Sequence, residues 1–336
     1  MKTRKNKIYL RTAAGALVAS LFLSLSPGVV GVDRKAGKYI VQTPEYTEGG
    51  KILENESIGT APEARTYAIE RARINYNLPG IPSRNLSYYS AKTVRFNGTK
   101  LKTTAPVING IVYVSLEDFS SSVADADFTY NKSTRTAAVK ARGLLLTATD
   151  GGFVIYANDR PLFSFSPTIL MSNGEVYVPA SALEKALGIK RASNTSSEIR
   201  YTGTYKPLLS AKSYYREDEV YWLSKIISAE SSGESLLGQI AVGDVILNRV
   251  KSPLFPNTIY SVIFDRKYGV QFSPTADGRI YAAPTYTATL AAKICLEGVS
   301  LSDDAMYFLN PRVAQSNWIV NNRPYVYTIG NHDFYR

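Results

Sequence analysis

One glutamate stands where the pattern asks for an apolar residue. In the run Ile226-Ile227-Ser228-Ala229-Glu230-Ser231-Ser232-Gly233-Glu234, Glu230 takes the next place on a stripe of helical spacing formed by Val220, Leu223 and Ile227. A carboxyl turned toward a core is poorly solvated. Its charged form is disfavoured, and its pKa rises toward the range where it can release and recover a proton at neutral pH. Gly233 is expected to end the helix beside it, leaving the carboxyl at the mouth of a cleft. The same spacing also fits a last-turn glutamate rotated out to solvent, and spacing alone does not choose between the two.

Other chemistries are harder to assemble from these 336 residues. The chain has one histidine, His332, so it cannot supply the two or three His or Cys ligands of a zinc hydrolase, and no metal or cofactor is expected. A thiol peptidase or amidase would need Cys295, the one cysteine, to meet His332. Cys295 falls among Ala291, Ala292 and Ile294, where a small buried thiol is the default. A serine hydrolase would need a G-x-S-x-G elbow, which is missing. One cysteine also means no internal disulfide, so stability must come from packing.

The chain opens with Lys2, Arg4, Lys5, Lys7 and Arg11, followed by an uncharged run over 12–32. This pattern reads as a secretory signal or an uncleaved membrane anchor over 1–31, so the bulk of the protein is expected to be exported. The formal charge is +11, and without those five residues it is +6. So mild and dispersed an excess suits anionic wall polymers and argues against nucleic acid. A membrane is expected only through the N-terminal segment.

Residues 32–90 read as a flexible spacer with a short helix possible at 63–76. An internal repeat follows. Asn109-Gly110-Ile111-Val112-Tyr113-Val114 recurs 64 residues on as Asn173-Gly174-Glu175-Val176-Tyr177-Val178. Asn-Gly predicts a hairpin turn leading into a strand. A short amphipathic helix follows in each copy, with Phe119 and Val123 matching Leu183 and Leu187, and each unit closes on a strand, at 136–140 and 198–202. Further hairpins are expected at Asn97-Gly98 and Asn158. This repeat, over 91–204, resembles the copper amine oxidase N-terminal-like domain of exported bacterial wall proteins. The resemblance implies an attachment or targeting module, or a folded spacer. With no histidine in the region, copper binding is not implied.

Residues 205–216 read as a linker, and 217–336 as a compact unit. Helices are expected at 217–230, 235–251 and 285–297, with a helical turn at 258–264. The second is apolar nearly all round and should be buried. A strand is expected at 305–309, and a strand pair over 325–335 turning at Gly330-Asn331. The ordered runs Ala229-Glu230-Ser231-Ser232-Gly233-Glu234, Gly238-Gln239-Ile240-Ala241-Val242-Gly243, Leu247-Asn248-Arg249-Val250, Phe255-Pro256-Asn257-Thr258-Ile259, Gln271-Phe272-Ser273, Ala305-Met306-Tyr307-Phe308 with Asn310-Pro311, and Ile329-Gly330-Asn331-His332 resemble the SleB-type cell wall hydrolases, the spore-cortex-lytic enzymes.

That resemblance implies an α+β chain whose C-terminal domain is lysozyme- and lytic-transglycosylase-like, beside a repeated strand-helix-strand accessory domain. It implies that Glu230 is the catalytic acid and that the bond between N-acetylmuramic acid and N-acetylglucosamine in peptidoglycan glycan strands is the target. Family members often carry Ala-Arg where this chain has Ser231-Ser232, which removes a positive charge near the site. A lytic transglycosylase needs one carboxylate, whereas a hydrolase needs a second. Candidates for the second are Glu234, expected instead to begin the next helix, and Asp277, expected instead to form a turn. Gln271, Phe272, Ser273, Tyr307, Asn310 and Trp318 are candidate sugar contacts, with Arg323 and His332 as possible supporting groups. The alternatives are a non-catalytic wall-binding or spore structural protein, and an N-acetylmuramoyl-L-alanine amidase.

Overall fold

The computed structural model describes residues 29–33, 38–41, 82–314 and 316–336. Residues 1–28 of the expected signal or anchor and the helix at 63–76 lie outside the described residues, as does most of the spacer. Strands β1 (Val29–Asp33) and β2 (Lys38–Val41) pair antiparallel. Among the described residues no helix is long and apolar enough to cross a membrane.

Two sheets enclose the core of the repeat region. The first hairpin, β3 (Ala91–Phe96) and β4 (Thr99–Ile108), turns on Asn97 and Gly98, both at positive φ. Asn109-Gly110 turns β4 into β5 (Ile111–Ser115) in the same left-handed conformation, as a tight hairpin requires. Helix α1 (Leu116–Ala124) follows, capped by the Ser115 hydroxyl, and then β6 (Asp127–Asn131), β7 (Thr136–Ala141) and β8 (Leu144–Thr149). The second copy supplies β9 (Val154–Ala157), β10 (Arg160–Phe163), β11 (Ile169–Leu170), β12 (Val176–Pro179), α2 (Ala180–Leu187), β13 (Lys190–Asn194) and β14 (Glu198–Thr202).

Strand β12 pairs antiparallel with β5 so that Val178 faces Val114, its counterpart in the repeat. The two copies are therefore related by a local two-fold through that pair. Their closing hairpins are exchanged. The β6–β7 hairpin of the first copy joins β8, β9 and β10 in one sheet, while β13–β14 of the second joins the other sheet, with β14 parallel to β3. Both copies then share one core, including Phe119, Leu183, Leu146 and Ile199, and neither can bury its apolar faces alone.

The C-terminal unit is built on three helices. Helix α3 (Ala211–Tyr214) is a single turn leading to α4 (Glu217–Ser231) and α5 (Leu236–Lys251), and α8 (Tyr286–Leu296) packs across both. Between α5 and α8 come α6 (Ile259–Ile263) and α7 (Pro274–Asp277). Strands β15 (Tyr307–Leu309), β16 (Tyr325–Ile329) and β17 (His332–Tyr335) form a small sheet in the order β15-β17-β16, with α9 (Trp318–Asn322) before β16. The helices cross closely at Gly243, where an added Cβ would meet Cys295 Sγ at 2.7 Å and Ile227 Cδ1 at 3.0 Å.

Helix α5 is the central helix, and it buries polar groups as well as apolar ones. Asp244 accepts the Leu301 amide at 2.5 Å. Asn248 donates to the Ser302 and Ala305 carbonyls at 2.7 and 3.1 Å, and Arg249 Nε donates to the Met306 carbonyl at 2.8 Å. These side chains satisfy the backbone of the segment entering β15, which would otherwise be stranded in the core.

The stretch read as a linker is clamped in place. Arg160 on β10 donates to both oxygens of Glu297, at 2.7 and 2.8 Å, just past α8. Lys185 Nζ lies 2.7 Å from Glu297 Oε2, and the Tyr215 hydroxyl donates to Oε1 at 2.5 Å. The Tyr214 ring lies 3.3 Å under the Arg160 guanidinium. Burial pushes the Glu297 carboxyl up, but donation from Arg160, Lys185 and Tyr215 outweighs it and holds the pKa below the ordinary value. Val154 and Tyr156 of β9 also join the core of the C-terminal unit. The two units are thus held together by a buried charge cluster as well as by chain continuity.

A charge left unpaired in such a place is costly. Glu297→Ala is expected to lower the unfolding free energy by about 3–5 kcal/mol, because Arg160 stays buried without its anion. The double variant with Arg160→Met should recover much of that loss. Urea unfolding of the parent, both single variants and the double variant measures it.

Candidate active site

Glu230 sits on the last turn of α4, beyond the fully buried Leu223, Ile226 and Ile227. Its side chain is mostly shielded from water. Among the described residues its carboxyl accepts no hydrogen bond and forms no ion pair. Burial therefore governs it and raises its pKa from 4.5 to about 7; Arg279 opposes the shift and Asp277 adds to it. The solvent-rotated alternative is not what the fold adopts. The helix ends at Ser231, just before Gly233, as expected, but without a left-handed glycine. Gly233 is not among the glycines at positive φ, and the chain instead closes a turn from the Glu234 amide to the Ser231 carbonyl at 2.9 Å. Ser235 then caps α5 by accepting the Gly238 amide at 3.2 Å.

One wall of the site is a loop laid along α4. Lys225 donates to the carbonyls of Tyr281 and Ala282 at 2.9 and 2.8 Å, and Ser228 accepts the Thr285 amide at 3.1 Å. Arg279 bridges the two sides. It donates to the Ala229 carbonyl at 3.2 Å, to Asp277 Oδ2 at 2.9 Å and to Ser273 Oγ at 3.2 Å. Asp277 also accepts the Arg279 amide at 3.0 Å, and its carboxyl is held below the usual range. It is therefore a turn former tied to Arg279. Sequence reasoning singled out neither Lys225 nor Arg279, and quoted Arg249 only within a family run without a role. Lys225, Ser228 and Ala229 share one helical face at i, i+3 and i+4, the one pattern that marked where this loop would dock.

Glu234 does not open the next helix. Its carboxylate accepts Asn331 Nδ2 at 2.8 Å and the Asn331 amide at 3.2 Å, fastening the β16–β17 hairpin to the α4–α5 connection. Gln239 Nε2 donates to the Glu234 carbonyl at 3.0 Å. His332 is buried, with Nδ1 3.6 Å from Glu234 Oε1 and no hydrogen bond among the described residues. Burial lowers the imidazole pKa, against the opposing charges of Glu234 and Asp333. The hairpin expected at Gly330-Asn331 thus positions His332 beside Glu234. Cys295 does not meet His332. Its thiol donates to the Ile240 carbonyl, and burial pushes its pKa well up, which disposes of the thiol-nucleophile alternative.

The remaining candidates are joined by one buried cation. Arg249 lies 4.8, 5.1 and 5.2 Å from the ring centroids of Phe255, Phe272 and Tyr307, and its Nη1 is 3.4 Å from Gln271 Oε1. Burial brings its pKa down to about 10. Arg323 shares the Tyr307 ring, 4.5 Å from it, and lies 5.2 Å from Trp318. Gln271 is partly buried and Ser273 exposed, so both border the surface. Phe272 is 3% exposed and belongs to the core, so its ring is not free to stack on a sugar. Asn310 spends its Oδ1 on the Arg312 amide at 3.0 Å, as a turn former does. Trp318 is 52% exposed.

Residues 233–335 match the family model described as Cell Wall Hydrolase. The C-terminal unit is a cell wall hydrolase domain. Residues 95–199 match the Copper amine oxidase N-terminal domain, so that module precedes the hydrolase domain. Over 120 residues the chain is 41% identical to a spore cortex-lytic enzyme of Bacillus cereus and 39% identical to that of Bacillus subtilis. Those stretches cover 36% of this chain and 45% and 38% of theirs. The chain thus spans less than half the length of these curated relatives. The solved catalytic domain of the germination-specific lytic transglycosylase SleB from Bacillus anthracis is 40% identical. There 36% of this chain and 97% of that chain are covered, with a TM-score of 0.33. The family match begins just after Glu230, so the role of that residue rests on its own environment.

The hairpin turn gives the hydrolase domain a sharp test. Gly330 has φ +60°, and an added Cβ would fall 1.8 Å from Glu234 Oε2. Gly330→Ala is expected to expel the Glu234 carboxylate and cost about 2–4 kcal/mol of stability. Thermal unfolding reads the loss, and faster amide exchange at Asn331 reports the freed hairpin.

Proposed function

We propose that this protein cleaves the glycan strands of peptidoglycan at the N-acetylmuramic acid–N-acetylglucosamine bond as a lytic transglycosylase, with Glu230 as the single general acid and base. The observation that carries this reading is a shielded, unpaired carboxyl whose pKa lies near 7. Such a group is protonated often enough to donate to the glycosidic oxygen, and basic enough afterwards to accept a proton from the muramic acid 6-hydroxyl as it attacks the anomeric carbon. That attack closes a 1,6-anhydro ring. The two carboxylates that could turn the reaction into hydrolysis are both engaged, Glu234 by Asn331 and Asp277 by Arg279.

Arg279 supplies a positive charge that acts on Glu230. It favours the carboxylate left behind when the proton moves to the leaving group. Gln271, Ser273, Tyr307 and Trp318 border the glycan path, and Arg249 and His332 hold its walls. The spore cortex-lytic relatives support a glycan of the spore envelope as the substrate, with the protein exported to reach it. The copper amine oxidase N-terminal domain would serve attachment to that layer.

Mass spectrometry of digested peptidoglycan is expected to find anhydro-muropeptides, and Glu230→Gln to abolish them with the fold intact. Reducing ends as the only new product would mean hydrolysis, and freed peptide stems an amidase. The acid must be protonated to act, so kcat/KM should fall as pH rises through about 7. Arg279→Gln removes the charge that lowers this pKa, and the alkaline limb should move to higher pH. Stability follows the same sign. A folded-state pKa raised above 4.5 stabilises the protein fully below that value and is lost as pH climbs through about 7. Glu230→Gln should therefore be more stable than the parent above neutral pH, by about 3 kcal/mol at most. Thermal melts across pH measure it.

A further inference from the structure

The outer face of one sheet in the repeat domain carries a dense patch of positive charge. Strand register sets Arg95 of β3 opposite Lys100 of β4 on one side and opposite Arg200 of β14 on the other. Neighbouring strands lie about 4.8 Å apart, so three basic residues stand in one row. Val94, Leu101, Ile199 and Tyr201 alternate with them and turn into the core, which leaves the row, with Lys102, facing outward. Lys190 of β13 pairs with Thr202 and extends the patch to the sheet edge. Like charges directly opposite one another destabilise a sheet. In β3, β4, β13 and β14 the one acid is Glu198, which accepts from Arg95 Nε at 2.7 Å and from Arg200 Nε through its other oxygen. A single surface carboxylate offsets little of that repulsion. Lys100, Lys102 and Lys190 are exposed and, among the described residues, form no hydrogen bond or ion pair. Between Arg95 and Arg200 the surface opens into a depression of about 490 Å³ that Gly98, Ala192, Tyr201 and Thr202 complete. The hydrolase domain is gripped elsewhere, through β9, β10 and Lys185.

We infer that this face docks an acidic peptide, the carboxylate-bearing stem of peptidoglycan, and so holds the enzyme on the layer it cuts. The inference deepens the attachment role given above to the repeat domain and rests on the peptidoglycan reading. Charge complementarity makes the occupant an anion, and the row makes it one that repeats its charges at short intervals. Residues of an extended peptide advance about 3.5 Å each, so acidic groups one or two residues apart fall within reach of cations on adjacent strands. Guanidinium and ammonium groups both pair with carboxylates. The Glu297 cluster clamps the repeat domain to the end of α8, so what this face holds lies in the same layer as the glycan that Glu230 meets. That favours the stem over a polymer of any separate layer. Exposed ion pairs are individually weak and are screened by salt. Summed over many stems they retain the enzyme on an insoluble network while each stem is released readily.

The test uses the full chain carrying Glu230→Gln, so that binding is read without turnover. Sedimentation at low salt compares insoluble, phosphate-stripped peptidoglycan with the same material after carbodiimide amidation of its carboxylates. The unmodified form is expected to bind about 100-fold tighter, at about fivefold for each of three cations beside an anionic surface, and added salt should shrink the difference. Adding Lys100→Gln, Lys102→Gln and Arg200→Gln together should erase it. A second triple, Lys132→Gln, Lys212→Gln and Lys251→Gln, removes the same net charge at exposed positions off this face and should keep it. Thermal melts of both triples should match the parent. Equal loss in the two triples, or no effect of amidation, overturns the inference. So does poly(glycerol phosphate) or single-stranded DNA displacing the bound protein at a lower charge concentration than free stem peptide. Charge-independent binding would leave wall attachment standing without this face, and no binding to either form would end both. Product release is measured separately with Glu230 intact, and its absence would sink the transglycosylase reading while leaving the binding result in place.

Discussion

The site depends on the close crossing of α4, α5 and α8. Gly243 lets Ile227 and Cys295 meet over the backbone of α5, and this contact fixes how far α4 is sunk into the domain. Because Ile227 and Glu230 lie nearly one turn apart on the same face, the depth of the one sets the solvation of the other. A carboxyl half a turn further out would be an ordinary surface glutamate with an ordinary pKa. Packing density, more than any specific hydrogen bond, gives Glu230 its proton affinity, since the carboxyl has no bonded partner and burial is the leading influence on it.

Around that crossing, polar side chains anchor the irregular segments. Asp244, Asn248 and Arg249 lie on one face of α5, and each satisfies a backbone group of the segment leading into β15. Lys225, Ser228 and the Ala229 carbonyl do the same for the loop that carries Arg279. The loop that carries Arg279 has no packing layer of its own, so its position is set by a rigid helix that presents donors and acceptors at fixed intervals. The Glu297 cluster extends that logic between domains. It ties β10 and the 205–216 stretch to the end of α8, the helix that also backs α4.

Much of this was legible beforehand. The apolar stripe led to Glu230, the all-round apolar run to the buried α5, and Gly330-Asn331 to the last hairpin, because each is a local period or turn preference that survives folding. The errors fell where partners come from far along the chain. Glu234 looked like the first acid of a helix, but it is claimed by Asn331, 97 residues away. Phe272 looked like a sugar platform because an aromatic in a loop carries no mark of which way it faces. Arg279 was passed over because its importance comes from Ala229, fifty residues earlier, and from a carboxyl it does not touch by sequence pattern.

The repeat shows the same division. The 64-residue offset, the Asn-Gly turns and the helix after each strand are fixed by residue type, and they specify two similar strand-helix-strand units in an α+β chain. That Val114 would lie against Val178, and that each unit would give its closing hairpin to the other's sheet, followed from burying two half-exposed apolar faces in one core. Residue chemistry and local spacing determined which groups this protein has and which faces must be hidden. Only the tertiary structure decided which hidden faces meet, and with them the solvation of Glu230 and the grip on Glu297. Desolvation and ion pairing are properties of neighbours, and neighbours distant in the chain leave no local trace.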